Sequence, residues 1–344
     1  MDADLLSRLC TAPGPSGRED RIREVVRAEL EPLADEVWVD PVGNLVARRA
    51  GDGPRLVMAA HMDELGFLVR SIDDRGFLRL VTLGGHDPRA LVARNVTVHG
   101  REDLPGVIGS KPVHLMDEKE RRQPPKTEDL YVDLGLAPDV VKERVRIGDH
   151  VTRVGLPAPL GELFTSPGLD DRAGVYVMIE AFRAARTHRC ELLAVATVQE
   201  EVGLRGARVA ASRLRPAIGL ALDVTLANDG PGVPDHERVT GLGEGAAIKV
   251  ADSSVIAATQ VVDLLRDLAE VRGIPHQMEI MPRGGTDTRE LQLGGDGALA
   301  GGVSIPLRNV HQVTEACHPA DLDACVALTA AFCEGAHDLL PGAD

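Results

Sequence analysis

Four apolar runs in this sequence stop at residues able to hold a cation or move a proton. "RLVMAAHMDELGF" ends in His61 and Asp63, "LLAVATVQEEVG" in Glu200 and Glu201, "AIGLALDV" in Asp223, and "GGVSIPLRNVH" runs on to His311. A fifth segment, "SPGLDDRAG", places Asp170 and Asp171 directly before a helical pattern. The glutamate pair is the hardest to explain as structure: adjacent like charges at the mouth of a core strand resist ionisation unless a cation or a shared proton compensates them. Each of the others has an ordinary explanation, such as a helix cap for Asp170-Asp171, a turn for Asp223 or a solvated loop for His311. Gathered at the carboxyl ends of strands in one sheet, where α/β proteins place their ligands, they read as a metal centre.

Oxygen and imidazole donors without thiolate suit zinc, cobalt or manganese. Five candidate ligands exceed the three of a mononuclear hydrolytic zinc, but fit two ions about 3.5–4 Å apart sharing one bridging carboxylate. Neighbouring side chains of an extended segment point opposite ways. One of the two glutamates would therefore ligate an ion, while the other, re-aimed by the turn at Gly203, would face the attacking water.

The elements that must position these groups follow from pattern. Ser16 and Glu19 have capping-box spacing and predict a helix over "REDRIREVVRAELEPLA". Short strands "EVWVD", "NLVARR" and "RLVMAA" follow. From about Asp171, helices alternate with strands to the end: "DRAGVYVMIEAFRAAR", "ELLAVATV", "GLRGARVAASRL", "AIGLALDV", "SSVIAATQVVDLLRDLAEVRG", "HQMEIM", a short helix, "ALAGGVSIP" and "ADLDACVALTAAFCEGAHDLL". This predicts an α/β fold, a mixed sheet flanked by helices on both faces. Between them, residues 66–161 show short β segments with hardly a helical period. They predict a small β-barrel-like domain inserted into a catalytic domain formed by 1–65 and 162–344. Within it "DEKERRQPPKTEDL", charged and proline-bearing, predicts a loop.

The chain has 344 residues, which suggests two domains, and 53 acidic against 38 basic residues give a net charge of −15. That balance disfavours nucleic acid and anionic membranes as partners. The start of the sequence does not fit a signal peptide and no segment is long enough to span a bilayer, so a cytoplasmic protein is expected. Five cysteines without CxxC spacing suggest neither a disulfide framework nor a thiolate metal site.

With "APGPSGRED", "AAHMDELGFLV", "GVIGSKPVHL", "LYVDLG", "LDDRAG", "VQEEVGLRGA", "LDVTLANDGPG", "RGGTDT" and "VSIPLRNVH" in order, the sequence resembles the tetrahedral (TET) or glutamyl-aminopeptidase family of co-catalytic dizinc metallopeptidases over nearly its whole length. The resemblance implies that His61, Asp170 and Asp223 hold one ion and Asp170, Glu201 and His311 the other. Glu200 would be the general base and Asp63 the residue orienting His61. It implies two divalent ions, zinc or cobalt, a cis peptide between Asp170 and Asp171, short peptide substrates, and dimers formed through the inserted domain that build into a dodecamer. The chain departs from the family in "SPGLDDR", where a lysine is usual, and in "LRNVHQVTEACH", where Asn309 takes an aromatic position and His318 is a conceivable substitute ligand. Rival readings are a related metal-dependent deacylase or carboxypeptidase, a carboxylate-pair glycosidase, and a non-enzymatic metal-binding scaffold.

Overall fold

A computed structural model describes residues 1–340. Its larger part is built on an eleven-stranded mixed sheet. At the centre the strand Gly53–His61 lies between Cys190–Thr197 and Ile218–Leu226, parallel to both, and Ile218–Leu226 pairs in parallel with Leu299–Arg308. These are the near-continuous apolar runs of the sequence, and they are apolar because helices cover both faces. Antiparallel strands flank them: Leu45–Arg49 on one side, and Ala246–Ala251 against Leu299–Arg308 on the other. The four parallel strands end together, with His61 opposite Thr197 and Asp223 opposite Ser304.

The helix Leu169–Ala184 packs on strands 53–61 and 218–226 and on the helix Pro319–Gly335. It is buried on almost every face, and its sequence accordingly has no polar stripe. Each fully buried leucine or valine in this core contributes about 1.5–3 kcal/mol, enough collectively to offset a number of desolvated charges at its edge.

Six strands, from Gly66–Ile72 to His150–Arg153, close into a barrel around its own core of Phe67, Val69, Leu78, Val96, Val98 and Val151. Near the end of the predicted insert, the strand Ala158–Leu160 pairs instead with Leu163–Ser166 in the large sheet. The charged stretch read as a loop carries a short α-helix, Glu118–Arg122, opened by a capping box at Asp117, and a 3-10 turn at Thr127–Asp129.

Two other expectations need correction. The helix Asp20–Leu30 has no side-chain cap, and Ser16 and Glu19 are turned toward the strand ends instead. The helix predicted from Ser253 begins at Thr259, because Asp252 accepts hydrogen bonds from the N–H groups of Ser254 and Val255 and holds that segment in a turn.

Candidate metal centre

His61, Asp63, Asp170, Asp171, Glu200, Glu201, Asp223 and His311 all meet at the carboxyl ends of the parallel strands. Asp170 is central: its Oδ1 lies 3.2 Å from His61 Nε2 and its Oδ2 3.2 Å from His311 Nε2. Around His61 Nε2 stand Glu200 Oε2 at 3.9 Å and Asp223 Oδ1 at 4.0 Å. His311 Nε2 faces Glu201 Oε1 at 3.8 Å. One carboxylate thus offers one oxygen to each of two imidazoles, and a further carboxylate stands beyond each. The peptide bond between Asp170 and Asp171 is cis.

Around this cluster a second group of carboxylates holds the backbone. The Asp63 carboxylate accepts the N–H of Glu200 at 2.9 Å and of Glu201 at 3.3 Å, and the Ser16 hydroxyl at 2.6 Å. His61 Nδ1 lies 3.2 Å from the Asp63 carbonyl and 3.5 Å from its carboxylate, which turns Nε2 into the cluster. Glu19 accepts the N–H of Gln199 at 3.2 Å. Gln199, at φ 55°, starts a reorientation of the chain that continues through Gly203, at φ 119°, and Leu204, at φ 56°. A left-handed non-glycine residue costs about 1–3 kcal/mol, so Glu19 and Asp63 together secure the turn that presents the glutamate pair. Asp171 comes within reach of His61 and Asp223, but its two oxygens accept the N–H groups of His61 and Gly174.

Sequence reasoning missed Ser16 and Glu19 in these roles, together with Asp287 and Glu315. Asp287, in "RGGTDT", is buried and accepts the Thr197 hydroxyl at 2.6 Å. Glu315 accepts the N–H of both Asp170 and His311. Only the density of acidic residues near the motifs could have flagged them. His318 lies outside the cluster; its Nδ1 accepts the Ala320 N–H and caps the helix Pro319–Gly335.

The electrostatics are those of several buried carboxylates crowded around two imidazoles. Burial, then repulsion from Asp223, Asp287 and Glu201, pushes Glu200 well above the ordinary carboxylate range. Burial and Asp170 bring Glu201 to about 7, and burial with Asp170 and Asp287 raises Asp223 strongly. Asp170 is equally buried, yet hydrogen bonds to His311 and His61 hold it low. Burial would lower His311, but the Asp170 carboxylate overcomes this and raises it to about 9. Glu201 Oε1 is buried with no hydrogen-bond partner among the described residues. Two donors about 2.0–2.1 Å from one tetrahedral ion lie roughly 3.4 Å apart, so the 3.8 and 4.0 Å spacings at Glu201 and Asp223 are near those of ligands sharing an ion. The donor set fits divalent metal.

The barrel closes one side. A Cβ at Gly84 would lie 2.2 Å from Leu65 Cδ2 and 3.1 Å from Glu201 Oε2, at a residue whose φ is 80°. Gly84→Ala is therefore expected to displace Glu201 and lower kcat/KM at least tenfold with little change in far-ultraviolet circular dichroism. Unchanged kinetics would show that this loop yields freely.

A mixed sheet with paired imidazoles and a shared carboxylate at its strand ends defines the class of co-catalytic metallohydrolases. The particular family is shown by comparison: the model of M42 glutamyl aminopeptidase matches residues 43–328, and the chain belongs to that family. It is 36% identical over 347 residues to the lysyl aminopeptidase of Pyrococcus furiosus, covering 97% of each. An aminopeptidase from the archaeon Desulfurococcus kamchatkensis superposes with a TM-score of 0.93 at 37% identity, covering 97% of this chain and 94% of that one. The TET1 peptidase of Pyrococcus horikoshii, described as assembling into a tetrahedron or a large octahedral shell, superposes at 0.87 with 33% identity, over 96% of this chain and 98% of that one.

Proposed function

We propose that this protein is a metal-dependent aminopeptidase that removes N-terminal residues from short peptides. His61, Asp170 and Asp223 would hold one ion, and Asp170, Glu201 and His311 a second, with zinc or cobalt the best fit to the donors. The observation that carries the reading is the Asp170 carboxylate, with one oxygen directed to each imidazole.

When bound, the ions supply Lewis acidity, polarising the scissile carbonyl and acidifying the attacking water. The chain's own residues do the rest. The Glu200 carboxylate accepts no hydrogen bond from the described residues, and burial with neighbouring negative charge has raised its proton affinity toward that of a working base. It takes the water's proton and passes it to the departing amine. Asp63 holds His61 in orientation and fixes the backbone of Glu200 and Glu201. The glycosidase reading is not favoured, because both glutamates face the same imidazole-carboxylate cluster instead of flanking a sugar from opposite sides.

The test is a panel of aminoacyl chromogenic substrates, free and N-acetylated, with zinc, cobalt or manganese. Cleavage restricted to free amines supports the reading. Cleavage of blocked substrates alone would move the chain to a deacylase, and inactivity on all of them would sink it.

The division into a catalytic domain of 1–65 and 162–344 and a dimerisation domain of 66–161 belongs to the same proposal, except that Ala158–Leu160 goes with the catalytic part because it pairs in the large sheet. The separate barrel core supports it, as do the exposed apolar residues Val81, Val107, Val113, Leu115 and Ile147. The tetrahedral and octahedral shells described for the Pyrococcus horikoshii relative suggest that dimers build further. Light scattering at micromolar concentration is expected to give a mass of at least two chains, and a strict monomer would remove this role from the barrel. Five buried cysteines, none in a disulfide, fit a reducing cytoplasm. Among the described residues no helix is long and apolar enough to cross a membrane.

A further inference from the structure

Of the residues proposed to hold the ions, His311 is the one that packing secures least. Its side chain is 39% exposed, against 2% for His61. It lies beyond the end of the strand Leu299–Arg308, in a loop, with φ at 68°. Non-glycine residues adopt that conformation rarely, so it must be imposed from outside the residue.

Two groups bracket its backbone. Glu315 Oε1 accepts the His311 N–H at 2.9 Å, while the other oxygen of the same buried carboxylate accepts the Asp170 N–H at 3.1 Å. One side chain thus spans the two segments that approach each other at His311 Nε2 and Asp170 Oδ2. From the opposite side, Arg153 Nη1 donates to the His311 carbonyl at 2.7 Å. Arg153 does not belong to the large sheet. It is the last residue of the barrel strand His150–Arg153, paired there with Val96, and it is itself buried. The barrel also approaches the imidazole directly, since a Cβ on Gly85 would lie 3.5 Å from its Nδ1. His61 has no such dependence. Its N–H goes to Asp171 and its Nδ1 faces Asp63, both outside the barrel strands.

We propose that Arg153 and Glu315 are positioning residues for His311, and that seating of the inserted barrel through Arg153 sets the His311 half of the metal centre and leaves the His61 half untouched. The inference rests on the dinuclear reading above. It gives the barrel a part in the chemistry separate from any part in assembly: a change in how the barrel sits reaches the site through one guanidinium and one carbonyl.

Full-length Arg153→Met, Arg153→Lys and Glu315→Gln test it. Methionine keeps much of the apolar stem and removes the donor, lysine restores a donor, and glutamine replaces one acceptor by an amide that cannot receive an N–H. Cobalt titration should show one ion bound as in the wild type and the other about 10–100-fold more weakly in Arg153→Met, with Arg153→Lys recovering most of the loss; Glu315→Gln, whose carboxylate also holds the N–H of the shared Asp170, should weaken the His311 ion at least as much. In the metal-free proteins, the 15N imidazole resonances of His311 should shift in Arg153→Met while those of His61 do not, and the thermal midpoint should stay near that of the wild type. Wild-type affinity for both ions, equal weakening of both, or no recovery with lysine would overturn the proposal. If the wild type binds no divalent ion, the dinuclear reading itself fails. The metal-free spectra then decide the positioning claim alone: a selective His311 shift upholds it, and an unchanged His311 signal overturns it.

Discussion

Glu200→Gln is expected to lower kcat by about two to four orders of magnitude while both ions stay bound. The amide keeps the size of the side chain and its place on the turn, which Asp63 and Glu19 hold through backbone N–H groups unaffected by the change. What it loses is the ability to accept the water's proton. Glu201→Gln should behave differently. Its Oε1 is a buried oxygen without a hydrogen-bond partner among the described residues, facing His311 at 3.8 Å, so a neutral amide there weakens the site before it slows the chemistry. Metal content by mass spectrometry, measured beside turnover, separates the two. If Glu200→Gln loses metal and Glu201→Gln keeps two ions but turns over slowly, the roles are reversed. If both variants remain fully active, neither residue serves as assigned.

Exhaustive chelation should abolish peptidase activity, and a divalent transition metal should restore it. Without a cation the cluster holds protons instead: burial and Asp170 raise Glu201 to about 7. An ion binding there must displace protons, so metal affinity should rise with pH through neutrality, and calorimetry in buffers of different ionisation enthalpy should register proton release. The sign for stability follows. An acid raised in the folded state binds more protons than in the unfolded chain between pH 4.5 and about 7, so the chelated protein should lose stability as pH rises across that interval. Restoring metal should reverse the loss most at the upper end. Full activity after verified metal removal would contradict the metal assignment altogether.

Most of the residues proposed to hold metal were legible because they lie at the ends of apolar runs, where the sequence itself marks the boundary between core and solvent; Asp170 stood out instead by preceding a helical pattern. The alternation of helix and strand after Asp171 was legible for a related reason: each parallel strand needs a crossover, and the crossovers carry their own pattern. What stayed hidden depends on distant partners. Ser16 and Glu19 have the spacing of a local helix cap, yet their partners are Asp63 and Gln199, 47 and 180 positions away. Glu315 lies in a three-residue strand too short to show a period. Arg153 resembles any surface arginine at a strand end until the barrel is seated. Asp252 stopped a helix whose apolar spacing was otherwise acceptable, because its side chain offered the backbone a competing turn.

The Glu315 hydrogen bonds to Asp170 and His311 also bear on the protein's synthesis. The groups that make the site are drawn from Ser16 near the beginning of the chain to Glu315 near its end, and loop closures of that span come late and slowly. A ribosome-bound chain can fold the barrel from residues near one another in sequence, but it cannot complete the centre until the final strands and the helix Pro319–Gly335 have been made. A truncated product ending between residues 311 and 314 would carry His61, Asp170, Glu200, Glu201, Asp223 and His311 with no Glu315 carboxylate to bring the last of these to Asp170. Hydrolytic activity would then arise with completion of the chain, and premature termination would leave no active fragment among nascent polypeptides.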